Sequence, residues 1–137
     1  MNNKTFWIGF VVVFVLLQVI GFLVHGVMLE DTYQALASAF RPEEQMNEMM
    51  WIMMLSGVGV LFLFCYIFTK GREGGGVIEG VRYGALIGVL LGLPTSVDAY
   101  VIYPLTQYVA MVWFVSTVVS FMIGGAVFAA IYKPSID

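Results

Sequence analysis

Charge is scarce in this chain. Lys, Arg, Asp and Glu together make up 11% of its 137 residues, where a soluble domain carries about 25%. So little polar surface excludes an ordinary water-soluble monomer. Basic residues are fewer still, six against nine acidic ones, and they form no patch, which excludes nucleic acid as a partner. One cysteine, Cys65, excludes an intrachain disulfide; it sits in an apolar run and is expected to be a small buried residue. One histidine, His25, cannot supply the two or three nitrogens of a typical zinc site. No nucleophile stands beside a base. The stretch GGGVIEG (74–80) has the glycines of a phosphate loop but neither its lysine nor its Ser/Thr. Nothing marks an enzyme, and no cofactor is expected.

What is abundant is apolar: 61% of the residues are hydrophobic and the mean hydropathy is +0.93. Spanning a bilayer takes about 20 mostly apolar residues, and four stretches qualify, at 6–29, 49–69, 81–103 and 105–132. They use most of the chain and leave room for one domain. The expected fold is all-α: a four-helix transmembrane bundle, antiparallel and up-down. The first stretch precedes an Ala-x-Ala in ALASA (35–39). Its apolar run is far longer than the 7–15 residues of a signal-peptide core, so it reads as a membrane helix.

Lysine and arginine set the orientation. Lys4, Lys70, Arg72, Arg82 and Lys133 fall on one side of an alternating bundle, and Arg41 alone falls on the other, beside Glu30, Asp31, Glu43, Glu44 and Glu48. Both termini are therefore expected in the cytoplasm. Trp7, Tyr66, Tyr83 and Tyr132 fall near the inner boundary, and Trp51, Tyr100, Tyr103 and Tyr108 near the outer one, where amphipathic rings collect.

The first connection, 30–49, predicts a short amphipathic surface helix capped by Asp31, with Tyr33, Leu36, Ala37 and Phe40 on one face. Pro42 suits the first turn of the next helix, and Glu43 and Glu44 complement its positive end. KGREGGG (70–76) reads as a flexible turn.

Gly76, Gly80, Gly84, Gly88 and Gly92 stand four apart within the third helix. Each weakens a helix in water by about 1 kcal/mol relative to Ala. In lipid, packing and polar contacts must hold helices together, and small residues let two backbones approach. Ser116, Ser120 and Gly124 offer a counterpart on the last helix. A step of four advances about 40°, so the ridge turns by about 160° over its length. A straight helix cannot aim all five glycines at one partner. The excess suggests a homo-oligomer or a larger membrane complex.

Polar groups at membrane depth are costly and default to functional candidates. At about 1.5 Å per residue, His25 and Asp98 fall at a similar outer level. Gln18 lies below His25 on the same face, and Pro94 loosens the third helix a turn below Asp98. With Tyr100 and Tyr103 nearby, these residues form either an outward pocket for a cation, proton or small polar or lipophilic ligand, or a His–Asp hydrogen bond tying two helices. Met46, Met49, Met50, Met53 and Met54 share one helix face. Thioethers favour Cu(I), but methionine also fills apolar contacts. Glu79 and Arg82, three apart, are expected to form a local salt bridge.

GFLVHGVML (21–29), EGVRYGALIGVLLG (79–92) and AAIYKP (129–134), in this layout, resemble the small four-helix bacterial membrane proteins grouped as domains of unknown function. The resemblance implies the architecture only; the expected location is a bacterial cytoplasmic membrane. It carries no activity and no site. From the residues themselves, the expected role is a non-enzymatic membrane module, with a transporter or sensor built on His25 and Asp98 as the alternative.

Overall fold

The computed structural model describes residues 3–133, so Pro134 of the closing motif lies outside it. The described chain is helical and contains no strand. Helix α1 (Asn3–Gly21) runs on through a π-helical segment, Phe22–Met28, to the short α2 (Glu30–Ala35) and a 3-10 turn, Ala37–Ala39. Helix α3 (Glu43–Gly71) is followed by α4 (Gly76–Leu93), a second π-helical segment at Pro94–Asp98, α5 (Ala99–Ile102) and α6 (Gln107–Ile131).

Four helical spans are long and apolar enough to cross a membrane: Asn3–Met28, Glu43–Gly71, Gly76–Ile102 and Gln107–Ile131. They lie on the expected stretches. The second begins six residues earlier than the apolar run, because Pro42 starts the helix while the sequence is still charged. Pro94 has no N–H to donate to the preceding turn. The chain absorbs the loss by widening to π geometry, and the Thr95 hydroxyl donates to the Leu91 carbonyl at 2.8 Å.

Helices α4 and α6 make the closest approach. A Cβ at Gly80 or Gly84 would overlap the carbonyl oxygen of Gly125 or Phe121, and one at Gly88 would come within 2.7 Å of Val118 Cα. Gly92 faces the Phe114 ring at 3.1 Å. Gly76 is no part of this contact: its φ is +66°, and it starts the helix with open space around its Cβ position. The surface meeting the ridge is formed by Phe114, Val118, Phe121 and Gly125 rather than the expected Ser116, Ser120 and Gly124. Gly124 faces Val13 of α1 instead, and Ser116 donates to its own helix at the Trp113 carbonyl. Spacing by four names a stripe; it does not fix which stripe turns toward a given neighbour.

The core gathers at one end. Phe6 from the start of α1, Phe64, Cys65 and Phe68 from the end of α3, and Phe128, Ala129 and Tyr132 from the end of α6 form one buried cluster, with Tyr83 of α4 against it. Phe128 sits edge-on to Phe6 and Phe68 at 5.9 and 5.8 Å and stacks on Tyr132 at 5.6 Å. Polar ties close this end. Thr5 donates to the Lys133 carbonyl, Arg72 to that of Tyr132, and Tyr83 to that of Phe64. Helix α3 departs from the pattern. Every residue from 41 to 57 is exposed, and only its later half is packed.

Candidate functional site

The polar cluster at the opposite end is built on the first π-helical segment. His25 lies within Phe22–Met28, α2 folds back over it, and Trp113 reaches it from the second turn of α6. Tyr33 joins the three. Its hydroxyl is 2.7 Å from Trp113 Nε1 and 2.6 Å from His25 Nδ1. The indole N–H is a donor only, so it donates to the phenol oxygen and leaves the phenol proton for His25 Nδ1. The Tyr33 hydroxyl thus bridges Trp113 Nε1 and His25 Nδ1. The His25 and Tyr33 rings lie parallel at 6.0 Å, and Trp113 meets His25 edge-on at 6.3 Å. Phe40 closes on the other side of Tyr33 at 5.5 Å. Burial pushes the Tyr33 phenol above its ordinary pKa, while the Trp113 hydrogen bond works in the opposite sense.

The expected His25–Asp98 pair is therefore replaced by His25–Tyr33. Asp98 closes the second π-helical segment, is exposed, and has no hydrogen-bond or ionic partner among the described residues. Tyr100 and Tyr103, on and just after α5, are exposed as well. Gln18 is exposed and donates to the Met54 sulfur of α3 at 3.4 Å. Nearby in sequence, Ser96 is buried and its hydroxyl has no partner among the described residues. Asp31 does not cap α2: the cap position is Leu29, and Asp31 sits with Glu30 in the first turn, where a carboxylate complements the helix dipole.

Sequence reading missed Tyr33 and Trp113 as the partners of His25. The signal was available in kind. Each ring carries one polar atom, and such an atom seeks a partner once it leaves water. Helix periodicity placed Tyr33 on the lipid-facing side of α2, because a straight surface helix gives no hint that its chain folds back.

The methionine face stands open. Met46, Met49, Met50, Met53 and Met54 are all exposed on α3. No group of three or more His, Cys, Asp or Glu is placed to hold a metal among the described residues.

No protein-family model, curated protein or solved structure matches this chain.

The remaining candidates lie at the α3–α4 turn. The Glu79 carboxylate accepts backbone N–H groups from Glu73 at 2.5 Å and Gly75 at 2.7 Å. This replaces the expected Glu79–Arg82 bridge. The N–H groups ahead of α4 have no helical partner, and the carboxylate one turn inside reaches back to them. Arg82 is exposed and unpaired among the described residues.

Proposed function

We propose that this chain is a non-enzymatic integral membrane module, inserted up and down through a bacterial cytoplasmic membrane with both termini in the cytoplasm. It assembles with itself or as an accessory subunit of a larger complex through the first half of α3. The observation that carries this reading is the exposure of α3 on every side from Glu43 to Gly57. The other three spans interlock. This half-helix offers the methionine face, and Gly57 and Gly59 with open space at their Cβ positions, the features helices use to pack in lipid. The glycine ridge of α4 no longer argues for a second chain, because four of its five members are taken up by α6.

The test is cysteine cross-linking in native membranes with Met53→Cys, which is feasible because Cys65 is buried. A disulfide-linked homodimer, or one defined subunit trapped with a short cross-linker, is the expected result. Protein that stays monomeric in membranes and in mild detergent, with no subunit attached, removes the proposal.

A second reading, a sensor or carrier of a small cation or lipophilic ligand, is favoured by the exposed His25 ring held in one orientation by Tyr33. Asp98, Gln18, Tyr100 and Tyr103 are the further polar residues this reading would use, although none of them is hydrogen-bonded to His25 among the described residues. Thermal stabilisation by a ligand that His25→Ala and Asp98→Asn both abolish supports this reading. Identical shifts in wild type and variants eliminate it.

A further inference from the structure

Helices α3 and α4 touch at Phe64, Phe68 and Tyr83, and Tyr83 forms the floor of the gap between them. Its hydroxyl donates to the Phe64 carbonyl at 2.7 Å, and its ring lies 4.8 Å from Phe64 and 5.4 Å from Phe68. Two cavities open above this floor and adjoin at Ile67 and Tyr83. The farther one, about 190 Å³, is walled by Val60, Leu63, Ile87, Leu90 and Leu91 and is apolar throughout. The nearer one, about 260 Å³, runs to the turn and is lined at its mouth by Glu73, Glu79 and Arg82. Together they make one groove, apolar along its length and charged at one end.

The mouth holds two unused charges of opposite sign. The Glu79 carboxylate is occupied by backbone N–H groups. The Arg82 guanidinium and the Glu73 carboxylate have neither an ion pair nor a hydrogen bond among the described residues, and both residues line the same cavity. A ligand that complements this mouth carries an anion and a hydrogen-bond-donating cation close together, on an alkyl chain.

We propose that the groove binds an aminophospholipid, with its phosphate on Arg82, its primary ammonium on Glu73 and one acyl chain between α3 and α4. Guanidinium presents paired N–H donors that match a phosphate, and a primary ammonium brings three donors to a carboxylate. A phosphocholine head has no N–H to give Glu73. A phosphoglycerol head offers that carboxylate only neutral hydroxyl donors in place of the ammonium. The alkyl chain gains little by leaving lipid for an apolar groove, so selectivity resides in the head group. The proposal rests on the helices spanning a bilayer.

Native mass spectrometry of the detergent-purified, delipidated full chain tests it, with phosphatidylethanolamine, phosphatidylcholine and phosphatidylglycerol offered at equal mole fraction. Retention of phosphatidylethanolamine about fivefold above the other two is expected, the size of one exposed charge pair per head-group contact. Glu73→Gln should bring it down to the phosphatidylcholine level, whereas Arg82→Gln, which removes the phosphate contact common to the three lipids, and Leu90→Trp, on an exposed wall, should reduce retention of all three. Equal retention of the three lipids, preference for phosphatidylglycerol, selectivity unchanged in Glu73→Gln, or retention unchanged in Arg82→Gln overturns the site. Each variant's melting temperature is read beside wild type. If a charge variant unfolds, Arg82→Lys and Glu73→Asp replace it, and a graded loss of overall retention and of selectivity, respectively, is expected. A chain that stays dispersed without detergent would refute membrane insertion itself, a different failure from a bilayer protein that ignores the head group.

Discussion

Gly84 and Gly57 are the same residue type in apolar helices, yet their surroundings oppose each other. A methyl at Gly84 would enter the backbone of Phe121, which belongs to a helix and cannot swing aside as a side-chain tip can. Gly84→Ala must therefore push α4 from α6 along the closest contact in the molecule. A loss of about 1–3 kcal/mol is expected, as for overpacking elsewhere, read as a lower melting temperature in detergent. At Gly57 nothing lies within 4 Å of the added methyl. Gly57→Ala should leave the fold unharmed or raise its stability by up to about 1 kcal/mol through helix propensity. Equal effects at the two positions would mean that α4 and α6 are not in backbone contact. Gly80, Gly84, Gly88 and Gly92 were legible as a contact stripe because glycine every fourth residue is otherwise a cost. The face of α6 that meets them was not. Phe114, Val118 and Phe121 carry no small-residue signature, and their backbone, not their side chains, makes much of the contact.

Helix α2 has six residues, too few to be stable alone, so its place depends on what Tyr33 holds. Tyr33→Phe removes the acceptor of the Trp113 indole N–H and the partner of His25 Nδ1. Leaving those groups unpaired costs about 1–3 kcal/mol. The expected sign is faster hydrogen exchange across α2 and a changed Trp113 emission, isolated by difference against Trp113→Phe. Because burial raises the Tyr33 pKa in the folded state, the linkage has one direction. The docking contribution is complete below the ordinary tyrosine value of about 10 and fades as pH climbs through the elevated folded value. Wild type should therefore undock α2 in alkali, and Tyr33→Phe should show no such step. An alkaline step that persists in the variant would assign it elsewhere. The spans themselves were readable because hydropathy over 20 residues is a local property. The return of α2 was not, since it is set by a hydrogen bond between residues 80 apart in sequence, Tyr33 and Trp113. The two π-helical segments divide the same way. Pro94 announces one through its missing N–H, whereas Phe22–Met28 contains no proline to mark the other.

At the scale of the whole molecule, the two ends are fastened differently. One is closed by the aromatic cluster of Phe6, Phe64, Phe68, Phe128 and Tyr132. The other is held by a hydrogen-bonded ring trio under α2, while the start of α3 is exposed and tied to α1 by the Gln18–Met54 contact. The basic residues Lys4, Lys70, Arg72, Arg82 and Lys133 belong to the aromatic end by sequence, and the acidic run Glu43, Glu44 and Glu48 to the other. If that asymmetry governs insertion as it does in short-looped membrane proteins, the α3–α4 turn faces the cytoplasm and the start of α3 faces outward. Single cysteines at Gly71 and Gln45, both exposed, read this directly against a membrane-impermeant maleimide. Gln45→Cys should react in intact cells, and Gly71→Cys only after the membrane is opened. Gly71 has open space at its Cβ position, so the reporter itself does not strain the turn. The reverse pattern would invert the module and put its unpaired helix surface in the cytoplasm. Labelling of both sites in intact cells would mean that α3 does not cross the bilayer, and the assembly surface proposed on it would then have no lipid to lie in.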